Sequence, residues 1–531
     1  MSIDPRPDQE EVRTAELIAV LCLATDLGTG LPFEHGLQST VVAMRLAERL
    51  SVDPDTAMQT YYGCLLFHAG CTATTETSAE LFDEGALVAH FNPVMFGTPA
   101  EAMYGIMRAL AGPDSADPMR ALWAARRLPR AARLYRRNFA AGCEVAQMLG
   151  ARLGMPQSVH GLFAHLTERW DGRGRPAGLR GDEVPLALRI IHVARDATFQ
   201  HVLGGAEFAA SVIQARAGNA FDPAVAAVLL DEPAAILDLD GQRSAWDEVL
   251  AVEPGAGLFL RDLSVDQALA AMGDFADLSA SYLVGHAIGV ADLAGRAAQL
   301  RGMPPADQVA VRRAGSVHDL GRVAVPSQIW QKPGPLTADD WERVRLHAYH
   351  TERVLCRSAF FATIAPVATS HHERQDGSGY HRGATLGVPP LARLLAAADA
   401  YQAMTEHRPH RAALPRQRAA DLLGQEARDG RLDADSVAAV LAAAGHAVPH
   451  LPRPAGLTER EAEVVALLAA GLTTKQIARA LGIAAKTADR HVQNAYAKIG
   501  ISTRAAAAMF AMQHGLTAWG DFPMVTARGR S

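Results

Sequence analysis

Apolar residues recur at three- and four-residue intervals through most of this chain, and Ala-Leu-Arg stretches that keep this spacing predict helices rather than strands. The clearest case lies near the C-terminus. Thr458 and Glu461 have the spacing at which a hydroxyl and a carboxylate cap a helix start reciprocally, and Val464, Val465, Leu467 and Leu468 follow on helical spacing. A helix is therefore expected from Thr458 to Gly471. Thr473 and Gln476 repeat the start signal, Ile477, Ala478 and Leu481 supply a short buried face, and Gly482 marks a turn. Residues 485–499 then read as a third helix, with Lys486, Thr487, Arg490, His491, Asn494 and Lys498 displayed near its start and along one side. No uninterrupted apolar run reaches about 18 residues and the first 15 residues are polar and acidic, so neither a membrane span nor a signal peptide is expected. The fold class predicted is all-α.

At 531 residues the chain exceeds one core and implies three or four domains. Apolar residues make up 49% and charged residues 20%, as in ordinary globular proteins. The five cysteines (Cys22, Cys64, Cys71, Cys143 and Cys356) have no regular spacing, which fits a reducing cytoplasm. Charge changes the picture more. From Leu451 onward there are 10 Lys+Arg against 5 Asp+Glu, leaving 41 against 52 in the preceding 450 residues. A small basic end on an acidic body points to a nucleic-acid reader attached to an enzyme or sensor.

Residues 17–230 and 268–445 are two copies of one pattern. Asp26 precedes His35 by nine residues and His68 follows 33 later; Asp277 precedes His286 by nine and His318 follows 32 later. The run from Glu168 to Pro176 matches that from Glu373 to His381, and the copies continue to Asp196 and Asp399. The earlier copy has Leu166-Thr167 where the later has His371-His372, Gly142 where it has His347, and Ala69 where it has Asp319. It keeps His35, His68 and Asp196, too few ligand types for a strong site, and is expected to be a metal-free structural or sensory domain. Residues 231–267 carry turn-forming clusters that suit a connection.

The later copy holds His318-Asp319, His371-His372, His286, His347 and Asp399. Imidazoles mixed with carboxylates suit iron or manganese ions that must keep positions open for water and substrate. A pair of such ions about 3.5–4 Å apart can activate a shared water and neutralise phosphodiester oxygens during in-line displacement. Asp319 and Asp399 are suited to bridging or open-face binding. Arg408 and Arg411, with Lys332, are candidates for pairing with substrate phosphate, and Gly377 and Gly379 for a tight loop turn.

These residues carry a resemblance. The runs His318-Asp319-Leu320-Gly321-Arg322, Lys332-Pro333-Gly334-Pro335-Leu336-Thr337, His371-His372-Glu373, Asp376-Gly377-Ser378-Gly379-Tyr380 and Asp399 to Arg411 resemble the HD-GYP family of cyclic di-GMP phosphodiesterases over about 160 residues. The resemblance implies a helical bundle around a multi-metal centre, with His286, His318, Asp319, His347, His371, His372 and Asp399 at the ligand positions and Asp319, Lys332, Arg408 and Arg411 in catalysis. It also makes Gly377, Gly379 and Tyr380 a substrate loop. Three positions depart from the family pattern: His381 stands for the proline after Gly-Tyr, Arg322 for the lysine after His-Asp, and Tyr282 for a glutamate of three-metal members, which favours two metals.

The C-terminal run Leu-Thr-Glu-Arg-Glu, Gly-Leu-Thr-Thr-Lys-Gln-Ile-Ala and Lys-Ile-Gly resembles the LuxR-type helix-turn-helix domain over about 60 residues. That likeness implies that Lys486, Thr487 and Arg490 enter the major groove while Thr474, Lys475, His491 and Lys498 hold phosphates. Ala484 stands where the family usually has a serine cap, a loss of roughly 1 kcal/mol. The expected order is a degenerate HD domain (1–230), a connection (231–267), an HD-GYP domain (268–445), a linker (446–455), a DNA-binding domain (456–520) and a tail (521–531). The function expected is a cytoplasmic, homodimeric regulator that hydrolyses a cyclic dinucleotide with two Fe or Mn ions and binds DNA. The alternative is a transcriptional regulator whose HD domains only sense a nucleotide or dimerise.

Overall fold

A computed structural model describes residues 11–112, 118–239, 244–383, 387–446, 454–469, 471–513 and 516. Most of the 446–455 linker and the whole 521–531 tail lie outside these residues. The described chain is all-helical apart from one short pair of strands, and none of its helices is long and apolar enough to cross a membrane. It divides into two compact units, one made of residues 1–285 with 319–362 and the other of 286–318 with 363–531.

In the first unit the helix Thr14–Thr29 is buried from Thr14 through Asp26 except at half-buried Glu16, because it is apolar on nearly every side and can only be a central element. His35–Arg49 and Pro54–Leu65 pack against it, and Leu186–Arg216 packs in turn on those two. Gly205, at φ +80°, bends the last of these. Residues 231–267, read from sequence as a connection, form a packed part of this unit. They contain the helices Pro233–Ile236 and Ala245–Ala251 and a strand, Phe259–Arg261, paired antiparallel with Glu11–Arg13. Tyr61 donates to the Val249 carbonyl at 3.0 Å, and the Glu253 carboxylate takes bonds from Arg13 and Tyr62. The turn Leu320–Ala324 and the helix Ala338–Leu355, capped reciprocally by Thr337 and Asp340, complete the unit. A Cβ on Gly321 would lie 2.3 Å from the His347 carbonyl oxygen and from the Thr351 nitrogen, so only glycine admits this approach.

The second unit contains the helices His286–Leu300, Pro305–Val317, Pro390–Thr405, Arg416–Arg428 and Ala434–Ala443. Glu459–Ala469, Thr474–Ala480 and Ala485–Ile499 follow the expected boundaries closely, and Arg504–Gln513 adds a fourth short helix. Both capping boxes form: Thr458 N donates to Glu461 at 2.8 Å and Thr473 N to Gln476 at 2.8 Å. Ala484 provides no side-chain cap. Val464, Leu468, Ile477, Ala478, Ala488 and Val492 form the core under the second and third helices.

Candidate metal centre and nucleic-acid interface

In the second unit, helix ends and one helix interior bring five of the expected ligands together. His286 opens His286–Leu300, His318 caps the end of Pro305–Val317, His371 and His372 follow the short helix Ala365–Thr369, and Asp399 lies within Pro390–Thr405. All are buried except His372, which is half-buried. Asp399 Oδ1 lies 3.2 Å from His286 Nε2 and 3.9 Å from His318 Nε2, and Asp399 Oδ2 lies 3.9 Å from His372 Nδ1. The rings of His318 and His371 are 4.7 Å apart and those of His371 and His372 4.1 Å. Burial opposes ionisation of Asp399, but the His286 hydrogen bond and the charges of His372, His286 and His318 outweigh it and hold the carboxyl well below its usual range.

The first unit holds the other two. Asp319 directly follows His318 in the chain, and its Oδ1 lies 3.3 Å from His347 Nε2. Its other oxygen pairs with Arg322 at 2.7 Å, and that guanidinium stacks 4.9 Å from the Trp330 ring. Arginine in place of lysine thus makes two contacts: one guanidinium nitrogen on the carboxylate and the planar face on the indole. Tyr282, at the position of the glutamate expected in three-metal members, donates to the Trp330 carbonyl at 3.1 Å.

The donor set fits divalent ions on an observation internal to each unit. His318 Nδ1 donates to the Gly315 carbonyl at 2.7 Å, His371 Nδ1 to Ala368 at 2.6 Å, and His347 Nδ1 to Val344 at 2.5 Å. His286 Nδ1 donates to Glu406 Oε2 at 2.9 Å. Each bond holds a proton on Nδ1, so Nε2 is the nitrogen that offers a lone pair once the ring is neutral, the tautomer a metal requires.

The three cations expected to meet phosphate are held by protein groups. Lys332 bonds Asp340 at 2.5 Å, Arg408 bonds Glu406 at 2.9 Å, and Arg411 donates to the carbonyls of Ala403, Met404, Glu406 and Ala412. Arg411 braces the end of Pro390–Thr405 in this state. Gly377 adopts φ +80°, a Cβ on Gly379 would come 2.4 Å from the Arg374 nitrogen, and the Tyr380 ring stacks on His372 at 4.7 Å. Two residues were missed from sequence. Glu406 follows Asp399 by seven residues, two helical turns on the same face, which was the available signal. Glu373 is the other: its buried carboxylate accepts the Arg382 N–H at 2.7 Å and fastens the loop.

The earlier copy builds the same loop. Glu168 accepts from Ala177 at 2.6 Å and Leu179 at 2.9 Å, Gly172 adopts φ +74°, and a Cβ on Gly174 would lie 2.4 Å from Arg169 N. Its three residual ligand types meet guanidinium groups instead. Asp196 pairs with Arg216 at 2.5 Å. Arg195 is buried over the Phe67 ring at 4.7 Å, and burial together with its charge lowers both His35 and His68 well below the usual imidazole range.

At the C-terminus, Lys475, Lys486, Thr487 and Arg490 are exposed and Thr474 and His491 half-buried. Lys486 and Arg490 lie one turn apart on Ala485–Ile499. Lys498, expected on phosphate, pairs with Glu461 at 2.6 Å and donates to the Gly456 carbonyl at 3.0 Å, so in this state it ties the third helix to the first.

The family described as HD domain matches residues 129–225 and 270–436, and that of bacterial regulatory proteins, luxR family, matches 455–511. A 3'3'-cGAMP-specific phosphodiesterase of Vibrio cholerae is 29% identical over 410 residues, 76% of this chain and 88% of that protein. A cyclic di-GMP phosphodiesterase of Thermotoga maritima is 37% identical over 122 residues, 22% of this chain and 33% of that protein. The crystal structure of a cyclic GMP-AMP specific phosphodiesterase of V. cholerae superposes with a TM-score of 0.56 at 25% identity, covering 82% of this chain and 98% of that one.

Proposed function

From a chain that carries HD-domain segments followed by a luxR-family regulatory domain, we propose a metal-dependent cyclic dinucleotide phosphodiesterase whose state is coupled to DNA binding. The observation that carries this reading is the set of four Nδ1 hydrogen bonds that point lone-pair nitrogens of His286, His318, His347 and His371 away from their backbone or carboxylate anchors. With His372, Asp319 and Asp399 they would hold two Fe or Mn ions, which supply Lewis acidity toward a phosphodiester and lower the pKa of water. The chain's own groups do the rest. Arg322 and Glu406 orient Asp319 and His286, Tyr380 stacks His372 in place, and Arg408 can exchange its Glu406 partner for an incoming phosphate oxygen. The similarity of the relatives' names supports a cyclic dinucleotide as substrate, either cyclic di-GMP or 3'3'-cGAMP. Domain limits of 1–230, 268–445 and 456–520, a cytoplasmic location and a homodimer on DNA belong to the same proposal. In the reader, Lys486, Thr487 and Arg490 contact bases and Thr474, Lys475 and His491 contact phosphates; Lys498 reaches DNA only by releasing Glu461.

Purified protein loaded with Mn²⁺ or Fe²⁺ should convert cyclic di-GMP or 3'3'-cGAMP to linear products, and the His318→Ala/Asp319→Ala double variant should not. One observation favours a second reading, a non-catalytic nucleotide sensor: Lys332, Arg408 and Arg411 are all held by protein partners. Tight nucleotide binding with no turnover above the double variant would select it.

A further inference from the structure

The earlier copy holds a cavity at the repeat positions where the later copy has its expected metal ligands. His68, Gly142, Leu166 and Thr167, which stand where the later copy has His318, His347, His371 and His372, line a space of about 370 Å³ within the first unit. That size lies in the range of about 300–1,000 Å³ typical of small-molecule sites. The walls are mainly apolar, with Leu27, Phe67, Leu87, Val88, Phe91 and Met95 prominent. Several of the lining hydroxyls are already engaged: Thr74 donates to the Cys71 carbonyl at 2.9 Å, Thr75 to Thr72 at 2.9 Å, and Ser78 accepts from Asn138 at 3.2 Å. Among the described residues no lysine or arginine lines the space, whereas exposed Asp83 and Glu84 do. An anionic nucleotide would find no cation among the lining residues and would meet Asp83 and Glu84, the latter already paired with Arg343.

We infer that this cavity is a binding site for a small, uncharged, predominantly apolar molecule. Burial of apolar ligand surface against these walls supplies the affinity. The far wall gives the site a consequence. Val323, Ala324, Val325 and Pro326 also line the space, and Val323 is four residues beyond Asp319 and one beyond Arg322. The helix Thr14–Thr29 presses on the same turn, since a Cβ on Gly28 would meet the Val323 Cβ at 3.1 Å. An occupant therefore touches the short segment that positions the Asp319–Arg322 pair. Binding stands apart from the phosphodiesterase proposal; only its effect on turnover rests on that reading.

The test uses the full chain and the neutral fluorophore N-phenyl-1-naphthylamine. The expected result is saturable binding of one equivalent with blue-shifted emission. Ala79→Trp and Val88→Trp, substitutions at half-buried lining positions, should each weaken binding at least tenfold while the melting temperature and helical circular dichroism stay at wild-type values. Non-saturating fluorescence, unchanged affinity in whichever filled variant melts like wild type, or displacement of the probe by cyclic di-GMP would each overturn the assignment. All these readouts are independent of catalysis, so an inactive enzyme that binds the probe leaves the inference standing.

Discussion

Replacing Glu406 with alanine removes the carboxylate that anchors the His286 imidazole through Nδ1. Glu406 Oε2 receives the His286 Nδ1 proton at 2.9 Å and also takes Arg408 at 2.9 Å, while Oε1 takes Gln402 at 2.8 Å. Burial opposes ionisation of this carboxyl, yet the His286 bond and its charge, with help from Gln402 and Arg408, keep it below the usual range. The imidazole thus leans on a full negative charge, which raises the basicity of Nε2. Outer partners of this kind contribute about 10–100-fold to metal affinity, or about 1.4–2.8 kcal/mol. Calorimetric titration of the metal-stripped full chain with Mn²⁺ should show that loss in Glu406→Ala. Glu406→Gln retains an acceptor without the charge and should fall between. An unchanged Mn²⁺ dissociation constant in Glu406→Ala, with the fold intact by circular dichroism, would refute the assignment of His286 as an oriented ligand.

Other perturbations probe the scaffold and the reader. Burial chiefly, opposed by the Gly36 N–H and Arg195, raises Asp26 to about 7 from 3.8. The folded chain therefore holds a proton that the unfolded chain releases, and this contribution to stability declines as pH rises from about 4 to about 7. Asp26→Asn should raise the melting temperature relative to wild type more at pH 8 than at pH 5; an equal difference at both would contradict the burial argument. Gly321→Ala should cost about 1–3 kcal/mol in urea unfolding, because the new methyl meets backbone at 2.3 Å. Thr473→Ala removes a reciprocal cap and should cost about 1 kcal/mol, read as weaker DNA binding at elevated temperature. On an operator selected from random DNA, Arg490→Ala should lose about 1–3 kcal/mol and relax base preference, while Lys475→Ala should weaken all sequences alike and lower the salt slope by about one. Equal loss of preference in both variants would reverse their roles.

Signals carried by short stretches of chain were legible. The two capping boxes and the limits of Ala485–Ile499 depend on residues a few positions apart. The repeat was legible too, and Glu168 and Glu373 fastening equivalent loops shows why its glutamate recurs. What escaped depends on partners remote in sequence. Residues 231–267 looked like a connection because their turn clusters are local, whereas their order comes from Tyr61, Tyr62 and Glu11–Arg13. Lys332 and Lys498 look like exposed cations until Asp340 and Glu461 are placed beside them. The cavity was invisible for the same reason, since its walls come from helices and turns spread over some 300 residues.

The clip between Glu11–Arg13 and Phe259–Arg261 decides where this molecule can be cut. A fragment ended at residue 230 would strip Tyr61 of its acceptor, Tyr62 and Arg13 of Glu253, and the strand Glu11–Arg13 of its partner strand. Any excised version of the earlier copy that is meant to remain folded has to run from before Glu11 to beyond Arg261.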